Sequence, residues 1–471
     1  MAHYAFSIFI CFCLFIALAP NFDLISWAQR YDEKRIVQTS LLLLPTCWIL
    51  ISQQGAKSLL QINLSLPRLS RWSLAIASSL GLLSSLQAPS SEYAIVELSL
   101  FLLLVSFSFT VAVLAQRYNR AIIGTLITAI TVSAFCYEVT FFTSYVGIFI
   151  QGNPLILPEP FSGFSSIRFF NQFQIWTLPL MVLPLLLYPR FFVSIRWLLI
   201  ILAIGWWVLL LASQSRGAQL AIALAGTATL LIFRKDAWPV IKANLLAAIS
   251  GWLTYYLLFV YAPNSETKTR LAQLTEDPAR LQLWELALNM IADNPWLGVG
   301  PMHYAYYPNT IAAHPHNALL QIAAEWGLPV AIILVVLTCW GLAAWCTSFF
   351  KNREMLEENG QRHLWIALFF SITAGLAYSM VSGVIVMPLS QAMFSVIAGL
   401  MLGLYYLPAP ASAASTSQTT ILRLITGIAM AGLLWTVVPD IVLRMEMETP
   451  PSQGNIVTFG PRFWQEGGIP H

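Results

Sequence analysis

About thirteen apolar stretches, each close to the roughly 20 residues that a helix needs to cross hydrocarbon, are set apart along the chain by charged or Pro/Gly-rich breaks. They fall near residues 4–20, 36–52, 72–88, 94–115, 121–141, 171–188, 195–212, 216–233, 239–261, 317–348, 364–384, 388–407 and 421–438. One soluble core could not hide so much apolar surface, since 58% of the residues are hydrophobic and only 10% charged. The expected architecture is an all-α polytopic membrane protein. The first stretch lacks the basic flank and small-residue cleavage site of a signal peptide, so it is read as a mature helix.

Charge and cysteine usage narrow the partners. The formal net charge of +3 is spread over loops with no basic block, which argues against nucleic acid. All six cysteines lie inside apolar runs and have none of the spacings of a zinc site or a disulfide framework. They read as core or lipid-facing thiols. The lipid bilayer is the partner that composition demands.

Orientation follows from where Lys and Arg collect. Loops after the even-numbered helices hold Lys57, Arg68 and Arg71, then Arg117 and Arg120, Arg190, Arg234, Lys235 and Lys242, and finally Lys351, Arg353 and Arg362. These loops are expected to be cytoplasmic, as is the N-terminus. The first loop dissents, with Arg30, Lys34 and Arg35 accompanied by Asp23, Asp32 and Glu33. The expected organisation is nine helices over 1–261, a long extracytoplasmic loop over 262–316, four helices over 317–438 and a short extracytoplasmic tail over 439–471.

Several ionisable groups gather on the extracytoplasmic side. The turn "SQSRGAQL" puts Arg216 between two membrane helices, where a charge costs a few kcal/mol unless it is paired or faces a cavity. Arg216 is either a snorkelling interfacial side chain or an anion-binding fork, with Gly217 and Ala218 leaving room for a large group. "PEPFSGFSSIRFFNQFQ" brings Arg168, Asn171 and Gln172 to the same side, and Arg270 lies in the long loop. "RLQLWELALNMIADNPWLGVG" reads as an amphipathic helix that begins at Arg280, presents Leu281, Trp284 and Leu288 on one face and ends at Asn294-Pro295. "HPHNALLQIAAEWG" then sets His314 and His316 on either side of Pro315. Histidines two apart across a proline do not share a helix face, and no cysteine lies near, so a metal site is not expected. His316, beside Asn317, is either a cap of the following helix or a proton acceptor. Glu97 and Glu138 near helix ends either pair the arginines or reach interfacial water. Tyr304, Tyr306 and Tyr307 serve a sugar or an interfacial aromatic belt equally well.

The series "SQSRGA", "RLQLWELALNMIADNPWLGVGPMHY" and "HPHNALLQIAAEWG", in that order, resembles the O-antigen ligase superfamily, polytopic bacterial enzymes that transfer preassembled glycans from an undecaprenyl diphosphate carrier. "VSGVIVMPLSQ" and the thirteenth helix with its tail are similar to the pilin glycosylation ligase branch, which modifies protein hydroxyls. The resemblance implies a protein O-oligosaccharyltransferase of the inner membrane with a periplasmic site. The donor would be an undecaprenyl diphosphate-linked glycan and the acceptor a protein such as pilin, with no cofactor. It assigns His316 as the catalytic histidine, with His314 orienting the loop or the acceptor. Arg216 and Arg280 take the place of the family's two arginines, and Glu325 fits its E-x-G. Arg168, Arg270 and Asn317 are auxiliary substrate-binding candidates. Lipid A core ligation and glycan polymerisation are the alternatives within the superfamily. A secondary transporter is the alternative outside it, but it would bring internal repeats that the chain does not show.

Overall fold

The computed structural model describes residues 2–188, 190–261, 278–307, 309, 311–405, 415–446 and 461–469, and among these the regular structure is helical with no β-strand. The helices are α1 (Ala2–Leu18), α2 (Arg30–Ile51), α3 (Gln53–Ser65), α4 (Arg68–Gln87), α5 (Ser91–Ile150), α6 (Ile167–Thr177), α7 (Leu183–Leu187), α8 (Val193–Ala212) and α9 (Arg216–Phe233). After them come α10 (Trp238–Tyr255), α11 (Pro278–Asp293), α12 (Ala318–Trp326), α13 (Leu328–Lys351), α14 (Arg353–Glu358), α15 (Arg362–Ser379), α16 (Pro388–Tyr405) and α17 (Thr416–Glu446).

Nine helical spans among the described residues are long and apolar enough to cross a membrane, where about thirteen crossings were expected. The shortfall has identifiable causes. The 60-residue α5 runs together two expected crossings across a kink at Tyr118 (φ −130°, ψ 34°), and α1 is short. Helices do form over the remaining two stretches, as α4 and α15, but neither is among the nine apolar spans.

Two expected helices are broken. The stretch 171–188 becomes α6, a 3-10 turn at Leu178–Leu180 and the short α7, because Pro179 and Pro184 each lack the N–H that would continue the ladder. The stretch 317–348 divides at Gly327, whose φ of +87° separates α12 from α13. There the chain passes so close to another segment that a Cβ on Gly327 would lie 2.3 Å from the carbonyl oxygen of Trp296.

The core is built around α5, which α1, α4, α16 and α17 flank. Lipid tails are as apolar as leucine, so close backbone approach and van der Waals packing must hold such helices together. The G-x-x-x-G of α16 provides it. A Cβ on Gly399 or Gly403 would come within 2.5 Å of the carbonyl oxygen of Ser108 or Ala112 on α5.

The charges of the first loop are largely consumed inside the protein. Lys34 pairs with Glu33 at 2.9 Å, both almost fully buried, and Glu33 also accepts the N–H groups of Leu24 and Ile25. Arg35 donates to the carbonyls of Phe463 and Val386 and to the amides of Gln38 and Gln391. Asp32 takes Arg444 at 2.8 Å and the backbone N–H of Gln465. Cations bound in this way are not free to read the leaflet charge, which removes them from the positive-inside argument.

Those contacts also dock residues 461–469 against the bundle. Phe463, Trp464 and Ile469 are buried, and Trp464 donates to Asp440 at the end of α17.

Candidate functional site

The histidine loop is shaped by backbone meeting backbone. The last carbonyls of α12 would be orphaned at its C-terminus, but "NPWLGVG" covers them: Val299 N–H donates to Ala324 O at 2.8 Å and Gly300 N–H to Glu325 O at 3.0 Å. Only glycine allows this approach, since a Cβ on Gly298, whose φ is +68°, would sit 2.5 Å from the carbonyl carbon of Glu325. At the other end of α12, Asn317 is the N-cap, its side chain accepting Leu320 N–H at 3.0 Å. The capping role considered for His316 therefore belongs to its neighbour, which gives Asn317 a structural task of its own.

His314 is buried and its Nδ1 accepts the backbone N–H of His316 at 3.2 Å. Burial pushes the imidazole well below the usual histidine range, and the charges of His316, Arg462 and Arg168 push in the same direction. A neutral ring that accepts at Nδ1 carries its proton on Nε2. His316 is half-buried with φ +54°, in the left-handed region, and the two rings lie 4.2 Å apart.

Helix α11 approaches the same loop, with Trp284 Nε1 donating to the Pro315 carbonyl at 3.0 Å. Arg280 is one helical turn earlier and so shares the face of Trp284. The packing of α11 covers one of its apolar stripes and leaves another open. Leu283, Ala287 and Met290 face the core, whereas Leu281 and Leu288 are 53% and 54% exposed. The helix has two apolar stripes, and Tyr304 selects the buried one by donating its hydroxyl to Leu283 O at 2.8 Å. Tyr304 is thus fully buried and unable to stack on a sugar in this arrangement, whereas Tyr306 and Tyr307 are only partly covered.

Arg168 and Arg216 are exposed and occupy the first turns of α6 and α9. The starts of these helices are tied together, as Asn171 donates to Ser213 Oγ at 3.0 Å. The segment after α15 connects them to the histidines. A Cβ on Gly217, beside Arg216, would meet Val381 Cγ2 at 3.0 Å. Gln172, with its amide turned to satisfy both its atoms, accepts from Ser382 Oγ and Gly383 N–H and donates to Gly383 O. A Cβ on Gly383 would lie 2.4 Å from Cε1 of His314. Three consecutive residues, whose outer Cα atoms are at most about 7 Å apart, thus touch the neighbourhoods of Arg216, Arg168 and His314 in turn. Arg270 lies outside the described residues.

Glu325 is fully buried. Its Oε2 accepts Arg462 Nη2 at 2.6 Å and its Oε1 accepts Tyr304 N–H at 3.1 Å. Arg462 also reaches Glu97 at 3.3 Å, and Gln321 accepts from it once its amide oxygen is turned inward. Removing one member of such a buried pair typically costs about 3–5 kcal/mol, because the other charge is stranded. Glu97 therefore pairs with an arginine other than those expected at the site, and Glu138 packs against Gly205 of α8. Arg462 and Gly383 are the residues that sequence reasoning missed. The available signals were two carboxylates in apolar helices, which needed a cation, and a small-residue "SG" at the end of a membrane helix. Among the described residues no group of three or more His, Cys, Asp or Glu could hold a metal.

Residues 197–335 match the O-antigen ligase family model, in agreement with the resemblance carried by "SQSRGA", the α11 motif and "HPHN". The match takes in Arg216, Arg280, His314, His316, Asn317 and Glu325 and leaves out Arg168, the 381–383 segment and Arg462. No curated protein matches the chain. The apolar helices and this match indicate a multi-pass membrane protein, and the similarity over residues 197–335 supports a glycan-transferring family, which implies a lipid-linked glycan donor.

Proposed function

We propose that this protein is an O-oligosaccharyltransferase that moves a preassembled glycan from undecaprenyl diphosphate to a Ser or Thr hydroxyl of a protein, pilin being the expected acceptor, on the periplasmic face of the inner membrane. The observation that carries the reading is the pair of tied helix starts beside the histidine loop. A cation in the first turn of a helix opposes the helix dipole, and here two such turns, those of Arg168 and Arg216, lie together. A diphosphate between them would relieve both, accepting N–H groups from the helix ends and a bidentate guanidinium.

In the reaction the acceptor oxygen attacks the anomeric carbon and its proton passes to the imidazole of His316. The bond from that carbon to the phosphate oxygen breaks, and its electron pair leaves with the diphosphate, where Arg216 and Arg280 stabilise the growing charge. An apolar groove of about 210 Å³ between α13, α15 and α16, lined in part by Trp340, Leu376 and Phe394, suits the isoprenoid chain. It lies on the two helices that the 380–387 segment joins. The test is reconstitution of the purified protein with a lipid-linked glycan and either pilin or lipid A core as acceptor. A glycan-dependent shift in pilin mobility is expected. Transfer to lipid A core alone, or growth of the glycan on its own carrier, would replace the acceptor assignment.

A further inference from the structure

From the contacts of Arg462 we infer that residues 461–469 complete the site, with Arg462 acting as a positioning residue that sets the histidine loop through Glu325. The inference rests on the transfer reaction proposed above for its functional readout, but its structural part stands apart from that reading.

Arg462 is only 2% exposed, although it follows the last helix in the sequence. Its backbone is held as firmly as its side chain. Tyr31 donates its hydroxyl to Arg462 O at 2.7 Å and Arg35 Nε donates to Phe463 O at 3.1 Å. The guanidinium then has two carboxylates to serve, the buried Glu325 and the partly covered Glu97. Glu325 passes the constraint on in two directions. Through its Oε1 it holds the backbone of Tyr304, whose hydroxyl holds α11 and so the face that carries Arg280 and Trp284. Through its own helix it holds α12, which begins at Asn317, directly after His316. One guanidinium therefore sets the distance between the arginine-bearing helix and the histidine-bearing loop.

Charge gives the arrangement a second effect. The charged groups that bear on His314 are His316 in its own loop, Arg168 on α6 and Arg462, with Glu325 on α12 and Glu97 on α5 behind Arg462. The two cations help keep the His314 ring neutral, and only the neutral ring can accept the His316 N–H at Nδ1. Loss of Arg462 would remove a cation and expose two carboxylates, so His314 would protonate at higher pH and release His316.

The experiment uses the full-length protein as Arg462→Gln, Arg462→Lys and the charge-balanced Arg462→Gln/Glu325→Gln pair. In Arg462→Gln, kcat should fall further than donor retention, which Arg216 still supports, and the acid limb of the transfer profile should move up by about one pH unit, a roughly tenfold loss on that limb. Arg462→Lys should recover part of the rate, and the double variant should move the acid limb back toward wild type. Hydrogen exchange over 299–307 and 311–320, read without any substrate, should quicken in Arg462→Gln and less in Arg462→Lys. An unchanged acid limb together with unchanged exchange in Arg462→Gln would overturn the inference. Uniform loss of protein with the acid limb in place would reduce Arg462 to a folding residue. Faster exchange in a protein that glycosylates no acceptor even as wild type would leave the positioning role standing and sink the transfer reading instead.

Discussion

His316 donates its backbone N–H to Nδ1 of His314 across Pro315, at 3.2 Å and with the two rings close to perpendicular at 77°. The bond holds His316 in the left-handed region, at φ +54°, which most side chains avoid. His314 is therefore suited to setting the direction of its neighbour, a task separable from proton transfer.

Gly383→Ala should uncouple the histidines without touching an arginine. The added Cβ would stand 2.4 Å from Cε1 and 2.7 Å from Nε2 of His314, so the ring must move. Overpacking of this kind costs about 1–3 kcal/mol, so protein level is measured beside activity. Expected is at least a roughly tenfold drop in transfer with donor retention intact, measured on purified protein. Equal loss of both would place Gly383 in the donor site.

The neutrality of His314 has a pH signature. Its folded-state pKa lies below that of the unfolded chain, so the unfolded state binds the extra proton. Stability from this source is complete above about pH 6.5 and is lost as the pH falls below it toward the folded value, at up to about 1.4 kcal/mol per unit. Melting of wild type and His314→Asn in detergent between pH 5 and 8 measures it, because Asn keeps an acceptor near Nδ1 but does not titrate. The wild type should lose stability more steeply on acidification, and parallel curves would refute the assignment.

Much of this arrangement was readable from residue order, and the unread part has a common cause. Long apolar runs announce helices because lipid leaves the backbone few alternatives, and "SQSRGA", the α11 motif and "HPHN" marked the elements that meet. Pairings remote in sequence were not legible. Arg462 and Glu325 are 137 positions apart, and nothing local in "PRFWQEGG" says that its arginine is buried. Likewise, Lys34 and Arg35 counted as loop charges until their partners were known. Which apolar stripe of α11 turns inward was not legible either, because both are apolar and the contacts that cover one of them, Tyr304 among them, come from residues beyond the helix.

Topology provides an independent check on the shared compartment. Reporters fused after Arg234 and Arg353 should indicate cytoplasm, and one fused after Asp293 should indicate the outside. The arginine-rich loops at the first two positions set that expectation. A cytoplasmic signal at Asp293 would put α11 on the wrong face for a periplasmic acceptor.

Arg216→Lys keeps the charge but loses the planar fork that holds a diphosphate through two parallel hydrogen bonds. Most of the activity should go, with weaker donor retention, whereas Arg168→Lys should be milder. Wild-type transfer by Arg216→Lys at normal protein levels would make Arg216 an interfacial charge only.

His316→Asn is the sharpest test of the base. Asparagine is among the side chains most at home in the left-handed region, so the φ of +54° at this position is preserved. The capping of α12 is untouched, because Asn317 performs it, and the backbone N–H that reaches His314 remains. What disappears is the basic ring nitrogen. The variant should accumulate in the membrane normally, retain lipid-linked donor through Arg216 and Arg280, and leave the acceptor unglycosylated, with transfer down by about 10²–10⁴-fold. Acceptor mobility on a gel, read beside donor retention, measures both halves. Near-normal glycosylation would remove His316 as the base, and loss of donor binding together with transfer would move it into the diphosphate site.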